Sequence, residues 1–318
     1  MNHQVGATAP DTIGIVQISD LHFRDAPGAR SFVAHEPQDG LAAVLAHAAR
    51  AIQESAVVVA TGDLADLGEP ASYERLGEAL GALPTPVYCL AGNHDSQEPL
   101  QAVLPRPNVH LEPAVQVGNW LMLLLDSNAH GREASADGTY RDRDDRVHRA
   151  SHPGLTPVEE ARARAILTAT RADHVFLWLH QPPLPEIAPA GRVDGELAAL
   201  VRDFPKIRAI GAGHLHGDLG GEFEGRPVHV CPSTFMSIDP PNRAFEGPGY
   251  RTYTLHPDGR VETEVHIVPG PMTDSLRTAA LPPYFSDLMT GQLTAEQLGA
   301  LGDAEFEERY GEPRPVRR

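Results

Sequence analysis

The chain has 318 residues, a length that fits either two average domains or one large α/β domain. Its 43 acidic and 26 basic side chains give a net charge of −17. This charge weighs against a general nucleic-acid or anionic-membrane binder, because those partners require a basic surface. Two cysteines exclude a disulfide framework and a cysteine-based zinc ribbon, whereas the 16 histidines are unusually many.

Neither the N-terminus nor the apolar segments predict a membrane protein. Residues 1–11 lack the basic and apolar stretches of a signal peptide. The strongest apolar run, 120–125, is far shorter than the about 20 residues of a membrane-spanning helix. We therefore expect a cytoplasmic enzyme with no membrane span, and leaderless export is the alternative.

Short apolar runs alternate with helical patterns over the first two thirds of the chain. Strands are predicted at 13–18, 56–60, 87–90, 121–125, 175–179 and 207–210. Several of these runs are continuously apolar, as expected for strands covered on both faces. The stripe from Leu41 to Ile52 predicts a helix, and further helices are predicted at 70–80 and 156–167.

In the last third of the chain, strands and turns replace the alternation of strands and helices. Strands are predicted around Phe223 and at 228–230, 251–255 and 261–268, with a hairpin turn at 256–259. The polar segment 127–155 predicts a long loop inserted into one domain of residues 1–268. The extension 269–318 is predicted to pack on the body or form a dimer. It ends in a helix capped by Thr294 and running to about Tyr310.

Polar residues cluster directly after the predicted strands, where open α/β sheets place their sites. The candidates form five motifs, which are, in chain order, Asp20 with His22, then Asp63, then Asn93 with His94 and Asp95, then His180, and last His214 with His216. Each motif alone has an ordinary explanation as a turn, a helix cap or a solvated loop. Five such motifs in this order, each at a strand end, indicate a functional site instead.

The residue types indicate the class of metal. Aspartate, histidine and asparagine without thiolate suit Mn, Fe, Zn or Co better than Ca or Mg. Seven candidate ligands are too many for one tetrahedral ion. They suit two ions that share a carboxylate, clamp a phosphoryl group and hold a bridging hydroxide.

This pattern resembles the calcineurin-like metallophosphoesterases over residues 13–268, and most of all the bacterial class III cyclic-nucleotide phosphodiesterases. The segments that carry the narrower resemblance are 62–65, 125–127, 180–185, 231–234 and 249–259. The resemblance implies an α/β fold of four layers, in which two mixed β-sheets pack as a sandwich flanked by helices. That agrees with the continuous strands of the first half and the strand-rich second half.

The resemblance also implies roles for individual residues. Asp20, His22 and His216 would bind the first metal ion. Asn93, His180 and His214 would bind the second, and Asp63 would bridge the two. The metal-bridging hydroxide would attack phosphorus, Asn93 would stabilise the phosphoryl oxygens, and His94 would give a proton to the leaving oxygen.

Several side chains keep two interpretations. Asp95 either orients a neighbouring histidine or closes its turn. Asp66 either supports His22 or caps the next helix, and we favour the cap. Arg24 contacts a substrate phosphate or lies on the surface. Phe23 is a base-stacking platform or a core residue.

The substrate is the most open question. Many relatives carry a second histidine where this chain has Gln181, which can change a phosphate contact. The candidate substrate is 3′,5′-cyclic AMP. The alternatives are glycerophosphodiesters, phosphomonoesters, phospholipid-type or phosphonate esters, and, outside catalysis, a scaffold for partners. A homodimer through the extension or the 127–155 loop is a further expectation.

Overall fold

The structure is a computed structural model, and the statements that follow concern the residues it describes. These are residues 12–28, 35–127, 139–141, 147–149, 155–184, 195–239, 242, 244–279, 281–284, 287 and 301–311. No helix in these ranges is long and apolar enough to cross a membrane.

Strands and helices alternate through the first two thirds of the chain. The strands are β1 Ile13–Ile18, β2 Val57–Thr61, β3 Val87–Leu90, β4 Val109–His110, β5 Ala114–Val117, β6 Trp120–Leu124, β7 Thr139–Arg141, β8 Val147–Arg149, β9 His174–Trp178, β10 Ile207–Ala212, β11 Leu219–Phe223, β12 Arg226–Val230, β13 Ser237–Asp239, β14 Ala244–Glu246, β15 Gly249–Leu255 and β16 Val261–Ile267. The helices are α1 Pro37–His47, α2 Ala49–Glu54, α3 Pro70–Gly81, α4 Gln97–Val103, α5 Pro157–Ala169, α6 Gly195–Asp203, α7 Pro271–Thr278 and α8 Asp303–Tyr310.

Two mixed six-stranded sheets form the centre of the molecule. The first has the order β16-β15-β1-β2-β3-β4, and the second β11-β12-β10-β9-β6-β5. Within the first sheet β1, β2 and β3 run parallel, and β15 pairs antiparallel with β1. Within the second sheet β6, β9, β10 and β12 run parallel. The expected pair of mixed sheets is confirmed.

The packing of β2 explains why the strands are apolar throughout. Val57 and Val59 belong to the cluster between the sheets, which also contains Trp120 and Trp178. Val58 and Ala60 point the other way, into the cluster beneath α1 to α4. A third cluster joins the outer face of the second sheet to α5 and α6. Alternate side chains are therefore buried on opposite faces, and the layers are helix, sheet, sheet and helix.

Most predicted elements lie within two residues of the observed ones. The hairpin between β15 and β16 is confirmed, with the backbone N–H of His256 donating to the Arg260 carbonyl. The helix predicted through Leu41 and Ile52 is instead two helices that meet at Ala48. Segment 127–155 is not all loop, because β7 and β8 pair antiparallel within it.

The C-terminal extension begins against the body of the protein. Leu276 of α7 packs in a cluster with Phe235, Met236 and Phe245. Phe235 and Met236 are therefore core residues here. Helix α8 ends at Tyr310 as predicted, but it begins at Asp303 with Gly302 at the cap position, so Thr294 is not its cap. Thr294 itself lies outside the described residues.

Candidate metal centre

The carboxyl ends of parallel strands converge at one edge of the sandwich. Asp20 and His22 follow β1, and Asp63 follows β2. Asn93 and His94 follow β3 in the same sheet. The second sheet contributes His180 after β9, and His214 and His216 after β10. Each predicted ligand thus occupies the predicted kind of position, and the contacts below show that the structure brings them together.

Five of the predicted ligands adopt a left-handed backbone conformation that L-residues rarely populate. They are Asp20 (φ 52°), His22 (φ 47°), Asp63 (φ 46°), His214 (φ 70°) and His216 (φ 52°). In the described part of the chain, Glu224 is the other non-glycine residue with positive φ. Such residues cost on the order of 1–3 kcal/mol each and persist where the surrounding structure holds them. Nothing in the sequence signals this strain.

One group of side chains forms between the ends of β1 and β10. The Nε2 atom of His216 lies 3.4 Å from Oδ1 of Asp20 and 3.2 Å from Nε2 of His22. The Nε2 atom of His22 lies 3.8 Å from Oδ2 of Asp63. Asp20, His22 and His216 are spaced closely enough to hold one ion.

A second group forms between the ends of β2, β3 and β9. The Nε2 atom of His180 lies 3.2 Å from Oδ1 of Asp63 and 3.0 Å from Oδ1 of Asn93. The ring of His214 stands edge-on to His180, with centroids 5.1 Å apart. Asp63 contacts both groups and is 2% exposed as a residue, so it occupies the position of a shared ligand.

The orientation of the imidazoles tests whether these groups fit metal ions. Nδ1 of His180 lies 2.8 Å from the Thr61 carbonyl, and Nδ1 of His216 lies 3.1 Å from the Met236 carbonyl. A carbonyl can only accept, so each Nδ1 donates its proton to the carbonyl, and in the neutral ring each Nε2 offers a lone pair. The donor set of a cation site consists of groups such as these, with imidazole lone pairs that face each other beside two buried carboxylates. The residues therefore fit metal ions.

Charge interactions favour the metal-binding protonation states of Asp63 and His214. At His180, burial lowers the pKa, but the charge of Asp63 outweighs it and raises the pKa to about 9. Burial alone would raise the pKa of the Asp63 carboxyl, but His180 and His94 beside it hold the pKa well below its usual range. Burial, and then the charge of His180, lowers the pKa of His214 to about 4. Asp63 is therefore a carboxylate and His214 a neutral imidazole, which are the forms that coordinate ions.

His94 lies over the two groups and faces solvent. Its side chain is 41% exposed, and its ring centroid is 4.8 Å from that of His22. Its Nδ1–H donates to the Asp66 carbonyl at 2.8 Å, and its backbone N–H donates to Oδ1 of Asp63 at 2.9 Å. Burial lowers the pKa of His94, but Asp63 and the Asp66 carbonyl outweigh it and raise the pKa overall.

Asp66 supports His22, and the favoured interpretation of this residue as a helix cap is wrong. Its Oδ1 lies 3.1 Å from Nδ1 of His22, and its Oδ2 forms an ion pair with Arg24. Glu69 precedes α3 at the cap position. The loops after β1 and β2 run side by side, because the Asp66 N–H donates to the Phe23 carbonyl at 3.0 Å. This pairing of the two loops places the Asp66 side chain next to the His22 ring.

Asp95 has the contacts of the turn-closing alternative. Its buried carboxylate accepts hydrogen bonds from the N–H groups of Gly92 at 2.8 Å and of Leu64 and Ala65 at 3.0 Å. The Tyr73 hydroxyl donates to it at 2.9 Å. These bonds tie the loop after β3 to the loop after β2. The carboxylate of Asp95 therefore accepts from the backbone of the two loops, which makes Asp95 a positioning residue and not a group of the catalytic machinery.

Two glycines allow the loops to approach closely. A Cβ at Gly92 would lie 2.1 Å from Oδ1 of Asp63, and one at Gly213 would lie 1.9 Å from Oγ of Ser19. Both distances are far below any van der Waals contact, so these positions exclude every other residue unless the backbone moves.

A buried network beneath the centre was not predicted. Gln17, fully buried in β1, donates to Oγ1 of Thr61 at 2.8 Å and to the Ala212 carbonyl at 2.9 Å. It also accepts a hydrogen bond from the Tyr253 hydroxyl at 2.7 Å. Gln17 thus joins the ends of β2 and β10, which carry Asp63 and His214. A single glutamine in an apolar strand gives no local signal of this role.

Two residues with open interpretations lie away from solvent. Phe23 is 4% exposed and packs in the helix-covered core of the first sheet, so it is not a stacking platform. Gln181 is 1% exposed, and its Oε1 accepts a hydrogen bond from the Ser127 hydroxyl at 2.7 Å. Gln181 therefore holds Ser127, which follows β6.

Comparison with known proteins agrees with this geometry. The model of the calcineurin-like phosphoesterase family matches residues 13–218, which is more than half of the chain. The chain belongs to the calcineurin-like phosphoesterase family. The match spans both groups of ligands, from Asp20 to His216, and the expected enzyme class, a metal-dependent phosphodiester hydrolase, is confirmed.

The chain is similar to cyclic nucleotide phosphodiesterases over most of its length. The 3′,5′-cyclic adenosine monophosphate phosphodiesterase CpdA of Escherichia coli K12 is 29% identical over 268 residues, which are 80% of this chain and 89% of that protein. The CpdA of Pseudomonas aeruginosa is 30% identical over 263 residues, with the same two coverages. A probable cyclic nucleotide phosphodiesterase of Synechococcus is 29% identical and covers 84% of this chain and 96% of that protein.

Proposed function

We propose that this phosphodiesterase hydrolyses small diesters, with 3′,5′-cyclic AMP as the candidate substrate. The observation that carries the proposal is the pair of ligand groups that share Asp63. The CpdA relatives support the choice of cyclic AMP, because they match over 80% of this chain. The net charge of −17 disfavours a long polyanion as substrate.

Two transition-metal ions, drawn from Mn, Fe, Zn and Co, are part of the proposal. Asp20, His22 and His216 would hold one ion, and Asn93, His180 and His214 the other, with Asp63 shared. When bound, such ions lower the pKa of water and stabilise negative charge on phosphoryl oxygens. The chain's own task is to hold seven donors in fixed positions, which the strained backbone and the carbonyl partners of the imidazoles accomplish.

His94 is proposed as the proton donor to the leaving oxygen. Its Nδ1–H is engaged by the Asp66 carbonyl, so Nε2 is the nitrogen that serves the substrate. The exposed ring lies above His22, on the open side of the centre. A positioned donor of this kind contributes about 10²–10⁴-fold to the rate. The Asn93 amide, beside His180, would orient the phosphoryl oxygens.

Arg24 keeps its proposed substrate contact in a modified form. Its guanidinium pairs with Asp66, which in turn holds His22. A guanidinium has five N–H donors, so Arg24 can pair with Asp66 and also donate to a diester oxygen at the rim of the centre. The predicted homodimer and the cytoplasmic location stay predictions, to be checked by light scattering and by cell fractionation.

A substrate panel on manganese-loaded protein tests the proposal. We expect turnover of bis(p-nitrophenyl) phosphate and of 3′,5′-cyclic AMP, with a higher kcat/KM for cyclic AMP than for glycerophosphodiesters, phosphomonoesters or phosphonate esters. Asp63→Asn, prepared alongside, should abolish both activities. Efficient turnover of another ester class and none of cyclic AMP would overturn the substrate. No turnover of any diester with metals bound would overturn the proposal and favour the alternative of a scaffold that binds partners without catalysis.

A further inference from the structure

A buried segment, residues 231–238, leads from β12 into β13 and has no role in the proposed chemistry, although it begins with one of the segments that carry the family resemblance. The backbone N–H of Cys231 donates to the Ala212 carbonyl at 2.8 Å, at the end of β10. The N–H of Thr234 donates to the Ser19 carbonyl at 3.0 Å, directly after β1. The segment therefore connects one strand end from each sheet, and both ends are followed by ligands of the candidate metal centre.

The hydroxyl of Ser233 is the main side-chain contact of this segment with the first of those strand ends. It donates to the Asp20 carbonyl at 2.7 Å, and it accepts from the N–H groups of Phe235 at 3.0 Å and Met236 at 3.2 Å. A hydroxyl has one donor and two acceptor positions, so these three bonds use all of them. All four residues are buried, so bulk water cannot replace the hydroxyl as a partner.

The turn that this hydroxyl closes also holds His216. The Met236 carbonyl accepts from Nδ1 of His216 at 3.1 Å, and the N–H of Ile238 donates to the His216 carbonyl at 2.7 Å. The ring and the backbone of His216 are thus both bound to the segment. Ser233 therefore contacts Asp20 directly and His216 through Met236.

The first ligand group, which consists of Asp20, His22 and His216, needs support of this kind. Asp20 and His216 both have a φ of 52°, a left-handed conformation that persists where the surrounding structure holds it. Oδ1 of Asp20 lies 3.4 Å from Nε2 of His216, so a small shift of either loop changes the space between the two donors.

The second ligand group is held by other residues. At His180, Nδ1 donates to the Thr61 carbonyl at 2.8 Å, and the backbone N–H donates to the Ser127 hydroxyl at 3.2 Å. Thr61 ends β2 and Ser127 follows β6, so neither belongs to the segment 231–238. Loss of the Ser233 hydroxyl should therefore affect the two groups unequally.

We propose that Ser233 is a positioning residue for the first ion, because its hydroxyl fixes the loops of Asp20 and His216 relative to each other. The proposal rests on the proposed function, since it concerns one of the two ions of that centre. Ser233→Ala removes the hydroxyl and leaves three buried backbone groups without this partner. The loops can then shift, and loss of such a supporting contact typically weakens metal binding about 10–100-fold.

Calorimetric titration of the chelator-treated, full-length protein with Mn tests the proposal without substrate. His180→Ala removes a donor of the second group and leaves the first ion to be measured, and His216→Ala does the reverse. Ser233→Ala should weaken Mn binding about tenfold or more in the His180→Ala background and leave it unchanged in the His216→Ala background. Ser237→Ala is the matched control and should change neither. Ser237 is equally buried in the same segment, but its hydroxyl donates to the Ser233 carbonyl, at 3.3 Å.

Ion counting on single variants is a second measurement that does not need the double variants to fold. At limiting Mn, Ser233→Ala should hold one ion per chain where the wild type and Ser237→Ala hold two. Ser233→Thr keeps a hydroxyl and should also hold two. Equal weakening of both ions, two ions in Ser233→Ala, or the same loss in Ser233→Thr or Ser237→Ala would overturn the proposal.

The outcomes separate the role of Ser233 from the proposed function. If the wild type binds two ions and hydrolyses diesters but Ser233→Ala shows no selective loss, the positioning role fails and the proposed function stands. If Ser233→Ala selectively loses the first ion but the wild type hydrolyses no diester, the positioning role is supported and the proposed function fails.

Discussion

At one end of the sandwich β15 turns into β16, and the left-handed position of that hairpin is Gly259, with φ 90°. At the other end β1, β2 and β10 stop, and left-handed positions carry Asp20, Asp63 and His214. The register of β15 against β1 pairs Leu255 with Ile13 and so places the hairpin at the opposite end from Asp20. Both ends contain left-handed backbone positions. Glycine occupies this position in the hairpin, whereas aspartate and histidine occupy it at the other end.

The difference shows what each end needs. The hairpin needs only the turn, so glycine supplies it without strain. The other end needs side chains that bind ions, and glycine has none. The left-handed residues at that end are strained, so other interactions must hold their loops in place. The hydrogen bonds from the N–H groups of Gly92 and Leu64 to the buried carboxylate of Asp95 are such interactions.

The shared carboxylate is where substitution should have the largest effect. Asp63→Asn removes the negative charge common to both groups, and we expect diester turnover to fall by roughly a thousandfold or more, with loss of bound metal. Activity assays and elemental analysis of the purified variant measure the two effects. Asp39→Asn, at an exposed position of α1, is the control and should match the wild type in both metal content and turnover. A variant that keeps both metal content and turnover contradicts the shared role.

His94 should separate chemistry from metal binding. His94→Ala is expected to lower kcat by about 10²–10⁴-fold while the metal content stays at the wild-type value, because the proposal makes the ring a proton donor and not a metal ligand. A substrate with a p-nitrophenolate leaving group needs less protonation, so its loss should be smaller than that of cyclic AMP. Equal losses for both substrates, or loss of metal, argue against the proton-donor role.

The glycines of the two ends give a direct contrast. Gly92→Ala forces a Cβ to 2.1 Å from Oδ1 of Asp63, so the loop must move. A displacement of this size costs on the order of 10²-fold in rate. Gly259→Ala strains the hairpin and should lower the melting temperature, with kcat/KM unchanged. If Gly92→Ala retains full activity, the close approach of the two loops is not needed for catalysis.

Strain that serves no site should be removable. Glu224, at φ 48° in the turn between β11 and β12, lies outside the ligand groups. Glu224→Gly should raise the free energy of unfolding by about 1 kcal/mol, seen as about 2 °C in the melting temperature, with unchanged turnover. Calorimetry measures the shift. A lower melting temperature would show that the Glu224 side chain contributes more than its backbone costs.

The sequence predicted most of the strands of the two sheets. It also predicted the strand end at which each candidate ligand lies. Continuous apolar runs such as that of β2 are local signals, and the ends of parallel strands must converge. The role of Asp66 could not be read in the same way, because its partner His22 is 44 residues away and the two meet only when β1 pairs with β2. Gln17 was missed for the same reason, since the carbonyl of Ala212 is 195 residues distant.

Metal titration of the stripped protein tests the central claim most directly. Chelator-treated protein receives Mn, Fe, Zn or Co in steps while bound ions are counted and cyclic AMP hydrolysis is followed. We predict no turnover without metal, and activity that rises until two ions are bound per chain, with the second ion lost in His180→Ala. Full activity in the stripped protein, or saturation at one ion per chain, would contradict a centre in which Asp63 joins two ions.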